Sequence, residues 1–136
     1  MPRRRDPNLV SQYLCLVCGE RITWGTLLRI IRTDPGQPGF MLNEIYAHFA
    51  CLRERLRSEV PLTLSRHWNG NHPMPDDSAE LTGPCGICGE PIAPDAVTAL
   101  RIQRLAGAVK APEFDEESVP VHGGCLQQAG QQMTSV

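Results

Sequence analysis

Six cysteines and four histidines carry the reactive side chains of this 136-residue chain, and most of them fall into one ordered pattern. Cys15-Leu16-Val17-Cys18 is followed by His48-Phe49-Ala50-Cys51, and Cys85-Gly86-Ile87-Cys88 by His122-Gly123-Gly124-Cys125. Each half thus reads C-x2-C, then 29 or 33 residues, then H-x2-C, and no cysteine is left over. Three thiolates and one imidazole satisfy a tetrahedral Zn2+ ion and leave no open position for water or substrate. The spacing predicts two structural Zn2+ sites: Cys15, Cys18, His48 and Cys51 in one, Cys85, Cys88, His122 and Cys125 in the other. Two redox-active C-x-x-C pairs with unrelated histidines are the competing reading, and it makes both H-x2-C segments a coincidence.

A duplicated unit must position these ligands. The stretch from Cys15 to Ile22 recurs from Cys85 to Ile92 at an offset of 70. Leu28-Arg29-Ile30 recurs as Leu100-Arg101-Ile102 at 72, and His48, Cys51 and Leu52 recur as His122, Cys125 and Leu126 at 74. Constant order with a small drift marks two copies separated by short insertions. Gly19 and Gly89 follow the second cysteine of each pair, where a turn aiming two sulfurs at one ion calls for positive φ.

Residues 26–32 read as a strand, 34–39 as a turn and 40–47 as a returning strand. Phe49, Leu52, Leu56 and Val60 then recur at helical spacing until Pro61 stops the helix. The second copy repeats the scheme: a strand over 97–105, a loop through the acidic stretch 113–117, a strand over 119–121 and a helix from His122. A helix starting at each H-x2-C puts its His and Cys on one face, with the positive end of the helix dipole near the Cys51 or Cys125 thiolate. The expected fold is small, α+β and zinc-stabilised: two tandem treble-clef-like units, each of zinc knuckle, β-hairpin and short helix, joined by a Pro-rich connector. The divisions are a basic N-terminal tail (1–12), unit 1 (13–60), the connector (61–82), unit 2 (83–130) and a C-terminal tail (131–136). Such units bury little, so zinc supplies much of their folding free energy, about 10 kcal/mol in small zinc-finger peptides.

Composition narrows the class. Gly and Pro together make 24 residues and aromatics only 5%, which argues against one well-filled core. A net charge of −2 with apolar periodicity argues against disorder. No run of 18 apolar residues exists, so no membrane role is expected. The basic start, Arg3-Arg4-Arg5, has no apolar stretch after it, so secretion is not expected. Reduced cysteines then place the protein inside the cell, in cytoplasm, nucleoid or nucleus. Charge is split: residues 1–70 hold ten arginines against six acids, and residues 71–136 hold three basic residues against nine acids, so the halves carry +4 and −6.

The connector region 61–84 has four prolines and two glycines around Arg66-His67-Trp68-Asn69-Gly70-Asn71-His72-Pro73. His67 and His72 allow a nuclease or third-metal reading, but no paired general base or acidic ligand cluster comes with them. A connector whose Trp68 packs onto one of the units is the expectation.

Cys15-x2-Cys18, Ile22, Gly25-Thr26-Leu27-Leu28-Arg29-Ile30 and Tyr46-Ala47-His48-x2-Cys51 together resemble the poly(ADP-ribose) polymerase-type zinc finger over residues 13–57, and less closely over 83–127. The resemblance implies structural-zinc modules that bind DNA ends and breaks, often as a tandem pair. It implies that Arg29 contacts phosphate and that Phe40-Met41-Leu42 lies near a base-stacking loop. Arg21, Arg32, Arg53 and Arg57, with Arg3 to Arg5, would supply further phosphate contacts. The sequence departs from that family in its acidity, in Asp115, Glu116 and Glu117 where phosphates would approach, in Pro120, and in Gly123-Gly124 between His122 and Cys125. A unit of charge −6 repels phosphate. The expected function is therefore a non-enzymatic zinc-binding interaction module, an adaptor or regulator with a protein partner and no small-molecule substrate. The alternatives are a protein binding DNA ends through residues 1–60 and a treble-clef nuclease.

Overall fold

The computed structural model describes residues 8–35, 43–64, 66–68, 83–105 and 113–130. Among them the fold is a small α+β arrangement dominated by strands. A two-stranded ribbon, β1 (Val10–Leu14) and β2 (Arg21–Thr23), brackets the first C-x2-C. β3 (Leu27–Thr33) and β4 (Asn43–His48) form the first hairpin, and α1 (Phe49–Arg55) follows directly. β5 (Arg66–Trp68) lies in the connector; β6 (Thr98–Leu105), β7 (Phe114–Val121) and α2 (Gly123–Gly130) complete the second half.

The two hairpins join into one five-stranded antiparallel sheet ordered β4-β3-β6-β7-β5. The junction is β3 against β6, two copies of the same sequence element. Ile30 pairs with Ile102, its own repeat mate at offset 72, while Arg29 pairs with Gln103 and Ile31 with Arg101. That register sets a local pseudo-twofold axis on the Ile30–Ile102 pair, the geometry of an isologous dimer interface within one chain.

One sheet face is apolar. Leu28, Ile30, Ala47, Leu100, Ile102, Val119 and Val121 are all buried, and with Cys15, Leu52, Leu56, Cys85 and Leu126 they make a single core drawn from both halves. The separate cores expected on either side of the connector are thus one core, because the free edges of two β-rich hairpins satisfy each other's backbone groups. The opposite face carries a polar row that crosses the sheet strand by strand. Glu44 on β4 meets Arg29 on β3 at 3.5 Å, and Arg29 donates to Gln103 Oε1 on β6 at 2.9 and 2.6 Å. Gln103 donates to Glu116 Oε1 on β7 at 3.0 Å, and Glu116 pairs with Arg66 on β5 at 2.5 Å. Gln103 and Glu116 are fully buried, which is tolerable only because both are satisfied.

Three expected elements differ. The acidic stretch expected as a loop belongs to β7, where Glu116 is an internal ion-pair partner. The helix expected to reach Val60 ends at Arg55, because Leu56 is extended and the Arg57 N–H donates to Gly86 O at 2.8 Å instead of back along the helix. The connector is partly docked: Glu117 Oε1 accepts from Thr63 N, Thr63 Oγ1 and Leu64 N at 3.0, 3.1 and 3.0 Å, and β5 pairs with β7. Ribbon β1–β2 and strand β5 were not foreseen. Phe40, His72, Arg3 to Arg5 and the side chain of Trp68 lie outside the described residues.

On β5, His67 Nδ1 sits 2.9 Å from Asp115 Oδ1, and Glu113 stands 3.7 Å from Nε2. The hydrogen bond to Asp115 holds the His67 pKa above its ordinary value, despite a smaller opposing effect of desolvation. A raised pKa means that the protonated pair favours the docked β5, fully so below the ordinary histidine value and no longer once pH rises through the folded value. An NMR titration of full-length protein should therefore show His67 titrating above a model histidine, and Asp115→Asn should bring it back down. An unshifted His67 in the unmutated chain would contradict this pairing.

Candidate metal centres

Each C-x2-C forms a knuckle with the same bonds. Cys15 N donates to Glu20 O at 2.9 Å and Gly19 N to Cys15 O at 3.0 Å; in the repeat, Cys85 N donates to Glu90 O at 2.8 Å and Gly89 N to Cys85 O at 2.9 Å. Gly19 and Gly89 have φ of +76° and +80°, the left-handed conformation the spacing called for. The H-x2-C pairs arrive from the sheet: His48 ends β4 and precedes α1, and His122 lies between β7 and α2.

The knuckles and helix starts meet in two Cys3His quartets. In each, the potential ligand atoms of Cys15, Cys18, His48 and Cys51, or of Cys85, Cys88, His122 and Cys125, lie within 4.8 Å of one another. Both imidazoles turn Nδ1 toward sulfur. His48 Nδ1 is 3.4 Å from Cys18 Sγ and 3.7 Å from Cys51 Sγ; His122 Nδ1 is 3.3 Å from Cys88 Sγ and 3.8 Å from Cys125 Sγ. His122 Nε2 faces Pro91 O at 3.2 Å, a bond that keeps the proton on Nε2 and frees Nδ1 as a donor to metal.

Electrostatics fit the same occupant. Burial opposes ionisation of Cys15 and Cys85, but backbone N–H groups aimed at each sulfur outweigh it and lower both thiols to about 6. Val17 N and His48 N donate to Cys15 Sγ at 3.4 Å, and Ile87 N and His122 N to Cys85 Sγ at 3.4 and 3.3 Å. Burial then pushes Cys51 up to about 12, reinforced by the charge of Cys15, and burial with the neighbouring Cys88 and Cys85 does the same to Cys125. The dipole of α1 or α2 does not overcome this. A cluster that ionises one thiol readily and resists the last is one that a divalent cation completes. Three sulfurs, one nitrogen and no carboxylate match Zn2+ rather than a hard cation.

The other candidate residues lie elsewhere. Arg21 is exposed on β2. Arg29 is tied into the polar row, with its guanidinium 4.5 Å over the Phe114 ring. Arg32 bonds Asp34 at 2.8 Å, Arg53 donates to Val60 O at 2.7 Å and to Arg57 O at 2.5 Å, and Arg57 pairs with Glu59 at 2.5 Å. The structure therefore gathers the eight metal candidates into two sites and scatters the arginines. Gln103 and Glu116, the buried centre of the polar row, are not among the candidate residues read from the sequence; the alternation of Arg101 and Gln103 with the apolar Leu100 and Ile102 is the signal for Gln103. Among the described residues, no helix is long and apolar enough to cross a membrane.

Compared with known proteins, the chain matches no family model, no curated protein and no solved structure.

Proposed function

We propose that this protein is a non-enzymatic interaction module built on two structural zinc ions, each held in a treble-clef-like unit of the poly(ADP-ribose) polymerase finger type, and that it works inside the cell by binding a protein partner. The zinc reading rests on the two closed quartets: four protein donors fill a tetrahedral shell, so such an ion holds structure and does not activate water. The partner reading rests on one observation, the face of β1 that bears Val10 and Leu14, with Leu9 just before it. These three are 60%, 52% and 56% exposed, large apolar side chains close together around the exposed Gln12. Binding of DNA ends, the other reading, is weakened by the engagement of Arg29, Arg32, Arg53 and Arg57 within the fold, which leaves them poorly placed to neutralise phosphates.

Titrating a labelled blunt-ended duplex at about 50 and about 200 mM salt separates these readings, because phosphate-driven binding falls steeply over that range. Weak binding is expected, with no loss in Arg29→Ala beyond that caused by lowered stability. Tight, salt-sensitive binding that Arg29→Ala abolishes in a folded protein would favour the DNA reading. Incubation with plasmid DNA and divalent metal should give no nicking, in the unmutated chain or in His67→Ala and His72→Ala. Nicking that either substitution removes would promote the nuclease reading.

A further inference from the structure

The turn after α1 belongs to unit 1 in sequence but builds the knuckle of the second metal site. Arg53 on α1, two residues beyond the ligand Cys51, donates to Arg57 O and Val60 O and shapes residues 57–60. Arg57 then reaches across. Its backbone N–H donates to Gly86 O at 2.8 Å, between the ligands Cys85 and Cys88, and its side-chain Nη1 stands 3.5 Å from Cys88 O. Its guanidinium covers Gly89 so closely that a Cβ there would fall 2.8 Å from Nε and Cζ. Leu56 adds its Cδ2, 3.5 Å from where a Cβ on Gly86 would sit. Gly86 N in turn donates to Pro120 O at 2.8 Å, two residues before the ligand His122. A continuous run of bonds therefore leads from Cys51 through α1 and Arg57 to Cys85, Cys88 and His122.

We propose that the two zinc sites are positively coupled through this run, with Arg57 as the positioning residue that transmits the loading of one site to the knuckle of the other. The proposal rests on the zinc reading above. Zinc at the first site fixes the start of α1, which fixes Arg53 and the 57–60 turn, which holds the second knuckle in its ligating shape. Without that order, the second knuckle pays its own ordering entropy before it can bind. The coupling is reciprocal by thermodynamic necessity, and coupling between sites commonly amounts to about 5- to 150-fold in affinity. It also accounts for the helix ending at Arg55, which lets the Arg57 backbone N–H bond Gly86 O.

The test is native mass spectrometry of the full-length apo protein titrated with Zn2+ under reducing conditions. At one equivalent, coupled sites give mainly zero-zinc and two-zinc chains. Independent sites place at least about half of the chains in the one-zinc state. Arg57→Ala keeps all eight ligands and the backbone bond to Gly86 O but removes the guanidinium that covers Gly89 and faces Cys88 O, and it should raise the one-zinc population. Arg53→Ala, which removes the bonds to Arg57 O and Val60 O, should do the same. Alkylation of unprotected cysteines should then locate the zinc-free site, and circular dichroism at saturating zinc should show the variant folded. Chelator competition on Cys125→Ser gives a second measure: zinc affinity at the first site should fall about fivefold or more, by the reciprocity of coupling. A dominant one-zinc species in the unmutated chain would overturn the coupling while leaving both zinc sites standing. An unchanged distribution in Arg57→Ala would overturn the role of Arg57. A chain that takes up no zinc would overturn the zinc reading and the coupling with it.

Discussion

Stripping zinc from the protein with excess chelator in reducing buffer should abolish its folded structure, with loss of the far-ultraviolet strand signal and of the tryptophan environment. The expectation follows from what the core can supply alone. Its largest fully buried side chains are Ile22, Leu28, Ile30, Leu100 and Ile102, with no aromatic ring among them. Each end of the core gathers three cysteines and a histidine, and burial beside the neighbouring thiols pushes Cys51 and Cys125 up to about 12, an arrangement that a divalent cation relieves. Each structural zinc in small finger peptides contributes about 10 kcal/mol or more of apparent binding free energy, comparable with the whole stability of a small domain. Refolding should require two equivalents of Zn2+, and Mg2+ should not replace them, because hard cations prefer oxygen donors. A chelated chain that keeps its full circular dichroism spectrum would contradict a metal-dependent fold.

Glu116→Ala should be strongly destabilising although it touches no metal ligand. The carboxylate is buried and serves three partners: Gln103 at 3.0 Å, Arg66 at 2.5 Å and Arg101 at 3.6 Å. Its removal takes away the carboxylate that accepts from Gln103 Nε2 and faces the guanidinium groups of Arg66 and Arg101. Breaking a buried ion pair on one side costs 3–5 kcal/mol, and because Arg66 is partly exposed the lower end, about 3 kcal/mol, applies here. That corresponds to a fall of roughly 10 °C in Tm for a chain of this size. Glu116→Gln keeps an acceptor for Gln103 and should lose about half as much. Thermal unfolding of the zinc-saturated proteins measures both. A Glu116→Ala protein within about 1 kcal/mol of the unmutated chain would show that the polar row is ornamental to stability.

Much of this arrangement can be read from residue order. The two H-x2-C and C-x2-C pairs give all eight members of the quartets, because a closed tetrahedral site demands its ligands in a recognisable rhythm. Gly19 and Gly89 give the knuckle turns, because only glycine adopts their φ at no steric cost. The hairpin strands are legible within a few residues. What is not legible is long range. Nothing local in Leu28-Arg29-Ile30 says that it pairs with Leu100-Arg101-Ile102, although duplication itself makes a self-complementary edge available. Nothing in Glu113-Phe114-Asp115-Glu116-Glu117 distinguishes a solvated loop from a strand whose acids meet Arg66, Arg101, Arg104 and His67. The charge split between the halves misleads for the same reason: part of it is neutralised between them.

X-ray absorption at the zinc edge, on protein purified without added metal, tests the central claim most directly. The account predicts two zinc ions per chain, each with an average shell of three sulfurs near about 2.3 Å and one nitrogen near about 2.0 Å, with no oxygen. A shell containing water or carboxylate oxygen, four sulfurs per ion, or fewer than two ions per chain would contradict it.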